Sequence, residues 1–144
     1  MDVMNEITGP DLCHCLAARR NARYLTRLYD CHLAAVNLSV SQFSLLAMLA
    51  EYPGISISDL AAIMVMERTT LIRALKPLKS AGFIHSRAEG ARSALRLSVS
   101  ADGHAKISEA LPHWLSAQVE LEARLGLDRA TSIRASLLAI VPVP

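Results

Sequence analysis

At 144 residues the chain is long enough for one domain with its own core, and 52% apolar residues with only 4% aromatic ones point to a helical, Leu/Ala-rich protein. No apolar run reaches the ~18 residues of a membrane span. Three cysteines argue against a disulfide framework, and the acidic start Met1-Asp2-Val3-Met4-Asn5-Glu6 is no signal peptide, so a reducing, cytoplasmic setting is expected. The net charge of +2 is small, so any nucleic-acid signal must come from how charge is distributed.

Residues 1–10 read as a flexible tail closing at Gly9-Pro10. A long helix is predicted from about Asp11 to Val36, with Leu12, Leu16, Leu25, Leu28, Leu33 and Val36 as a broken apolar stripe. At ~1.5 Å per residue it spans on the order of 40 Å, more than a domain of this size needs for its own core. Surplus apolar length of this kind suggests a dimer partner. Arg19, Arg20, Arg23 and Arg27 fall largely on one side of it. They make either a solvated basic face or an anion-binding wall. Cys13-His14-Cys15 is a poor metal site, because residues two apart on a helix point to different faces. Cys13 reads most simply as a buried, inert cysteine, and Cys31 as core or surface filler.

Asn37-Leu38 is a turn, and Ser39-Val40-Ser41-Gln42 has capping-box spacing. The helix that follows is expected to bury Phe43, Leu46, Ala47, Leu49 and Ala50 and to stop at Pro53-Gly54. Ser56-Ile57-Ser58-Asp59 repeats the capping pattern and opens a short helix burying Ile57, Leu60, Ala61 and Met64. After a tight turn a second helix buries Leu71, Leu75 and Leu78 and stops at Gly82. Pro77 lies inside it, and a kink is expected there because Leu78 continues the apolar stripe. Two helices joined by a short turn are a helix-turn-helix, whose second helix can enter a DNA major groove.

That helix leaves Arg68, Thr69, Thr70, Arg73 and Lys76 facing outward, with Lys79 in its last turn. Arginine meets guanine at two points, threonine a base edge or the thymine methyl, and lysine the phosphate. Next come Phe83-Ile84-His85-Ser86-Arg87 and the alternating run Ala94 to Val99, read as a two-stranded hairpin with Arg92 near its tip. An arginine so placed can reach the minor groove. From Glu67 to Leu97 there are seven basic and two acidic side chains, a net of +5, so the other segments together sum to −3. A local basic footprint on a near-neutral chain is what phosphate binding requires.

Ser100 caps a further long helix, about Ala101 to Leu125, with Ile107, Leu111, Trp114, Leu115, Gln118, Leu121, Glu122 and Leu125 along one stripe and Pro112 inside it. Gly126-Leu127-Asp128 stops it, and a last helix near Arg129 to Val141 offers Ile133, Leu137 and Ile140. There is no Gly-rich phosphate loop, no Gly-x-Ser-x-Gly and no His-Glu-x-x-His, and the five histidines show no ligand spacing. Neither catalysis nor a cofactor is expected.

The order Leu60-Ala61, Arg68-Thr69-Thr70-Leu71, Leu78-x-x-x-Gly82-Phe83-Ile84 and Val99-Ser100-x-x-Gly103 resembles the multiple-antibiotic-resistance regulator (MarR) family of winged-helix transcription factors, over roughly residues 11 to 140. One departure stands out. Where the family's wing carries Asp-x-Arg, this chain reads Ala91-Arg92-Ser93, so the aspartate–arginine lock is missing.

The resemblance implies a mainly α winged helix-turn-helix: dimerisation helices at 11–36 and 101–144 and a DNA-binding lobe at 37–100, in one intertwined domain. It implies a homodimer on double-stranded DNA, a repressor released by a small aromatic or anionic ligand, with Arg23 and Arg27 as candidate ligand contacts. Cys13 with Tyr29 sixteen residues on looks like the family's organic-hydroperoxide-sensing branch, although Val40 stands where that branch has a second tyrosine. The DNA contacts implied are Arg68, Thr69, Thr70, Arg73, Lys76, Lys79 and Arg92. A rival reading is a winged-helix protein-interaction module that no longer binds nucleic acid.

Overall fold

The computed structural model describes residues 9–88, 90–91 and 94–143. Residues 1–8 of the predicted tail (1–10) and the wing residue Arg92 lie outside that set, and Pro10, assigned to the tail, instead opens the first turn. The predicted helix from Asp11 to Val36 divides into a 3-10 turn at Pro10–Leu12, helix α1 at His14–Leu33, and a second 3-10 turn at Ala34–Val36. The break falls at Cys13, whose backbone is extended (φ −77°, ψ 111°) and whose Sγ accepts the Leu16 N–H at 3.3 Å, so the cysteine caps the helix. Twenty residues make α1 about 30 Å long. Asn37, in the left-handed region at φ 56°, ends the second turn, a conformation asparagine tolerates.

Helix α2 (Val40–Glu51) opens on a full capping box: Ser39 Oγ accepts the Gln42 N–H and the Gln42 side chain accepts the Ser39 N–H. Asp30 of α1 accepts the Val40 N–H at 2.7 Å, which sets the angle between the two helices. Strand β1 (Ile55–Ser56) runs directly into α3 (Ile57–Met64), and α4 (Arg68–Ser80) follows. The α3–α4 turn holds Val65 at φ 53°. A β-branched residue there costs about 1–3 kcal/mol, offset by the Met66 N–H bond to the Ala61 carbonyl at 2.9 Å. Pro77 does not end α4. Its missing N–H would have bonded the Arg73 carbonyl, and the buried Leu75 and Leu78 on either side hold the helix to the core.

Strands β2 (Ile84–Ala88) and β3 (Leu95–Val99) are antiparallel, and β1 pairs the free edge of β3, giving the order β1-β3-β2. The expected two-stranded wing is therefore part of a three-stranded sheet. Two residues are too few to show alternation, so β1 left no pattern to read. Helix α5 (Ala101–Leu125) has the predicted bounds and runs through Pro112, and α6 (Leu127–Ile140) begins two residues earlier than predicted. The core gathers Leu33, Leu46, Leu49, Leu60, Leu71, Leu75, Leu78 and Leu97, all essentially inaccessible, between α1, the helix-turn-helix and the sheet. No single helix among the described residues is long and apolar enough to cross a membrane.

Candidate nucleic-acid interface

Helix α4 is held by one face only. Leu71, Leu75 and Leu78 are at most 1% exposed. At 3.6 residues per turn, Thr69, Arg73 and Lys76 lie opposite that rib, with Arg68, Ile72 and Lys79 on one shoulder and Thr70 and Pro77 on the other. All eight are exposed. The centre of the outward face thus carries the groups suited to base edges, and a shoulder carries cations suited to phosphate. Ile72 was missed from sequence because it falls off the apolar stripe. Its exposed side chain, one turn from both Arg68 and Lys76, is placed to meet a thymine methyl or a sugar.

The foot of the wing adjoins this helix. Arg68, Ser56, Ile57, Ser58, Ala94 and Leu95 line one small notch, so the first residue of α4 sits beside the start of β3. The sheet is secured to α5 at its other end. Ser100 accepts the Gly103 N–H, donates to the Gly82 carbonyl, and bonds the Phe83 carbonyl through its own N–H. Gly82 takes φ 77°, the left-handed turn expected at the end of α4.

The groups weighed as ligand or redox sites lie elsewhere. Helices α1, α5 and α6 enclose a mostly apolar cavity of about 510 Å³, lined in part by Tyr24, Tyr29, Gln118, Leu121, Arg134 and Leu137. Tyr29 donates to the Gln118 side-chain oxygen. Burial raises the Tyr29 pKa and Glu122 adds to the rise, while Arg134 opposes it. Neither Arg23 nor Arg27 lines this cavity. Arg23 is exposed on α1, and Arg27 borders a smaller notch with Tyr24, Cys31, Glu120 and Arg124. There His32 Nε2 lies 2.6 Å from Glu120, which also pairs with Arg124 at 2.7 Å. The hydrogen bond from His32 holds the Glu120 carboxyl below its usual pKa, against partial burial and with help from Arg124. Cys13, Cys15 and Cys31 are all exposed, so Cys13 is not the buried cysteine expected: it lies at the outer end of α1 as its cap. Sixteen residues of α-helix separate Cys13 from Tyr29 by about 24 Å, so any contact between them needs a second chain. Among the described residues no three His, Cys, Asp or Glu side chains are grouped to hold a metal.

Residues 38–89, which run from the turn before α2 through the recognition helix and β2, match the MarR family model. The solved structure of the M. tuberculosis transcriptional regulator MosR is 34% identical, with a TM-score of 0.75, 90% of this chain and 96% of that one being covered. The same regulator in complex with DNA is 32% identical at a TM-score of 0.72, covering 91% of this chain and 99% of that one. A cysteine mutant of E. coli MarR complexed with operator DNA shares the fold at 18% identity, with a TM-score of 0.81 over 99% of this chain and 100% of that one. A search of curated protein sequences finds no match. A basic helix seated on a leucine rib, a three-stranded wing and likeness to MosR over almost its full length place the chain in the MarR family of DNA-binding transcriptional regulators.

Proposed function

We propose that the protein is a homodimeric repressor, cytoplasmic, that reads duplex DNA with α4 and is released by a small aromatic or anionic ligand. The observation that carries the DNA reading is the row Thr69, Arg73 and Lys76, set opposite a face of α4 that is wholly buried. Helices over 11–36 and 101–144 form the dimer, and residues 37–100 form the reading lobe. In support, Ala130 is the one buried residue of α6, while Leu127, Leu138 and Ile140 are 62%, 69% and 76% exposed. A two-fold protein then spans two half-sites one DNA turn apart, roughly 34 Å. For the ligand, two tyrosines and Arg134 around an apolar cavity suit an aromatic anion, with Arg27 in the neighbouring notch and Arg23 further along the same helix as secondary contacts.

The test is gel shift on the DNA upstream of the protein's own gene at ~50 and ~200 mM salt, over which several phosphate contacts cost orders of magnitude in affinity. Arg73→Ala should weaken the operator by about 1–3 kcal/mol and relax sequence preference, as expected for loss of a two-point base contact. Lys79→Ala should weaken all duplexes alike and reduce the salt slope by about one. Equal, sequence-independent losses in both variants would remove Arg73 from base reading.

A second reading of the signal has its own observation: Cys13 is exposed at the N-terminus of α1, with its Sγ turned to the Leu16 N–H. On that reading an organic hydroperoxide releases the protein from DNA, with Tyr29 of a second chain near the thiol. Release by hydroperoxide should disappear in Cys13→Ser. A Cys13→Ser protein that responds as the wild type does leaves the anionic ligand as the signal.

A further inference from the structure

The apolar cavity carries two opposite charges on its wall that do not pair with each other. Glu122 of α5 and Arg134 of α6 both line the space of about 510 Å³ enclosed by α1, α5 and α6, a size usual for a small-molecule site. The ion pairs among the described residues involve neither of them: Glu120 takes His32 and Arg124, Lys106 takes Glu109, and Arg20 takes Asp11. Both charges act on one phenol. Burial raises the Tyr29 pKa, Glu122 raises it further and Arg134 lowers it, so carboxylate and guanidinium are both felt in the cavity that Tyr29 lines. Beside apolar walls a charge is less screened than in open water, and it gains more from a matched ion.

The neutral polar groups agree with this division. Tyr29 donates its hydroxyl proton to the Gln118 side-chain oxygen, which leaves the phenol oxygen as an acceptor and the Gln118 amide nitrogen as a donor. The cavity thus offers a carboxylate and a phenol oxygen to a cation, and a guanidinium and an amide to an anion, beside Leu121 and Leu137. A simple aromatic acid uses half of this set and brings its own carboxylate towards Glu122, a like charge. A ligand that carries an ammonium and a carboxylate on one carbon, with a ring attached, uses all of it.

We propose that the cavity takes a free aromatic α-amino acid, with its carboxylate on Arg134 and Gln118, its ammonium on Glu122 and the Tyr29 oxygen, and its ring among the leucines. The inference rests on the ligand reading above and narrows it from an aromatic anion to a zwitterion.

The test is calorimetric titration of the full chain with L-phenylalanine, with phenylpropanoate, which lacks the ammonium, and with phenylethylamine, which lacks the carboxylate. A charge-assisted hydrogen bond in such a site changes affinity about 10- to 100-fold, so L-phenylalanine should bind tighter than either analogue by that factor. Glu122→Gln should lower L-phenylalanine to the level of phenylpropanoate and leave phenylpropanoate no weaker. Arg134→Gln should lower it to the level of phenylethylamine and leave phenylethylamine no weaker. Charges that only held the fold would weaken all three probes alike. In gel shift, wild type should leave its operator at lower concentrations of L-phenylalanine than of either analogue. If phenylpropanoate binds as tightly as L-phenylalanine and Glu122→Gln changes neither, the inference is overturned and the aromatic-anion reading stands. A match by phenylethylamine overturns both. If none of the three binds, the inference and the placing of a ligand in this cavity fall together, while the DNA reading still stands or falls on Arg73→Ala. If Glu122→Gln and Arg134→Gln each turn a dimer into a monomer by light scattering, the two charges pair between copies across a two-fold axis, and the inference is overturned.

Discussion

Gly103→Ala is expected to destabilise the protein by on the order of 3 kcal/mol, where the same change in an ordinary exposed helix gains about 1 kcal/mol. The reversal is geometric. A Cβ on Gly103 would lie 2.1 Å from the Phe83 carbonyl oxygen, 2.6 Å from Val99 Cγ1 and 2.9 Å from the Phe83 carbonyl carbon. The Phe83 carbonyl cannot swing aside freely, because it accepts the Ser100 N–H at 2.9 Å, and Ser100 in turn caps α5 through Gly103. Relief therefore means moving the start of α5 away from the end of α4. For 144 residues, 3 kcal/mol corresponds to a melting point about 10 °C lower, read at fixed protein concentration because the folded form is proposed to be a dimer. DNA affinity should fall as well, since the same junction aims the sheet relative to the recognition helix. A variant as stable as wild type would mean that α5 and Phe83 do not approach this closely.

Leu138→Asp is expected to convert a dimer into a folded monomer and to cost operator affinity roughly 10²- to 10⁴-fold. Leu138 is 69% exposed in the single chain, so a carboxylate there leaves the chain's own core untouched. In a dimer sealed by α6 it would be buried without a partner, which interfaces tolerate badly. Two linked heads gain their affinity from the second binding event becoming intramolecular, and a monomer loses that gain entirely. Light scattering gives the mass, far-ultraviolet circular dichroism gives the helix content, and a binding curve on the full operator gives the third readout. Should the mass and the affinity both stay at wild-type values, α6 is not the seal between the two copies.

Much of the reading lobe was legible along the chain because its signals are local. The Leu71, Leu75, Leu78 rib, the Ser39 capping box, the Ser56 and Ser100 caps and the stop at Gly82 all depend on neighbours within a turn or two. The outward basic row of α4 follows from the rib, since fixing one face of a helix fixes the opposite one. Even Pro77 was read correctly as interior to α4, because Leu78 keeps the period across it.

Other features were decided by residues far apart in sequence. Leu111 and Leu115 look like core on an apolar stripe, yet they are 43% and 48% exposed, and the residues of α5 that are buried are Gly103, Ala110 and Ala117. Seven-residue spacing of small side chains lets neighbouring elements approach closely, and no hydrophobicity pattern announces it. The two-residue strand β1, the cavity between Tyr29 and Arg134 and the facing of Arg87 by Arg96 share this origin. Each depends on register or on the packing of one element against another. Helix period and capping are short-range free energies written residue by residue. Strand pairing and helix contact join positions tens of residues apart, so the chain states which side chains exist, and only the folded chain states which of them meet.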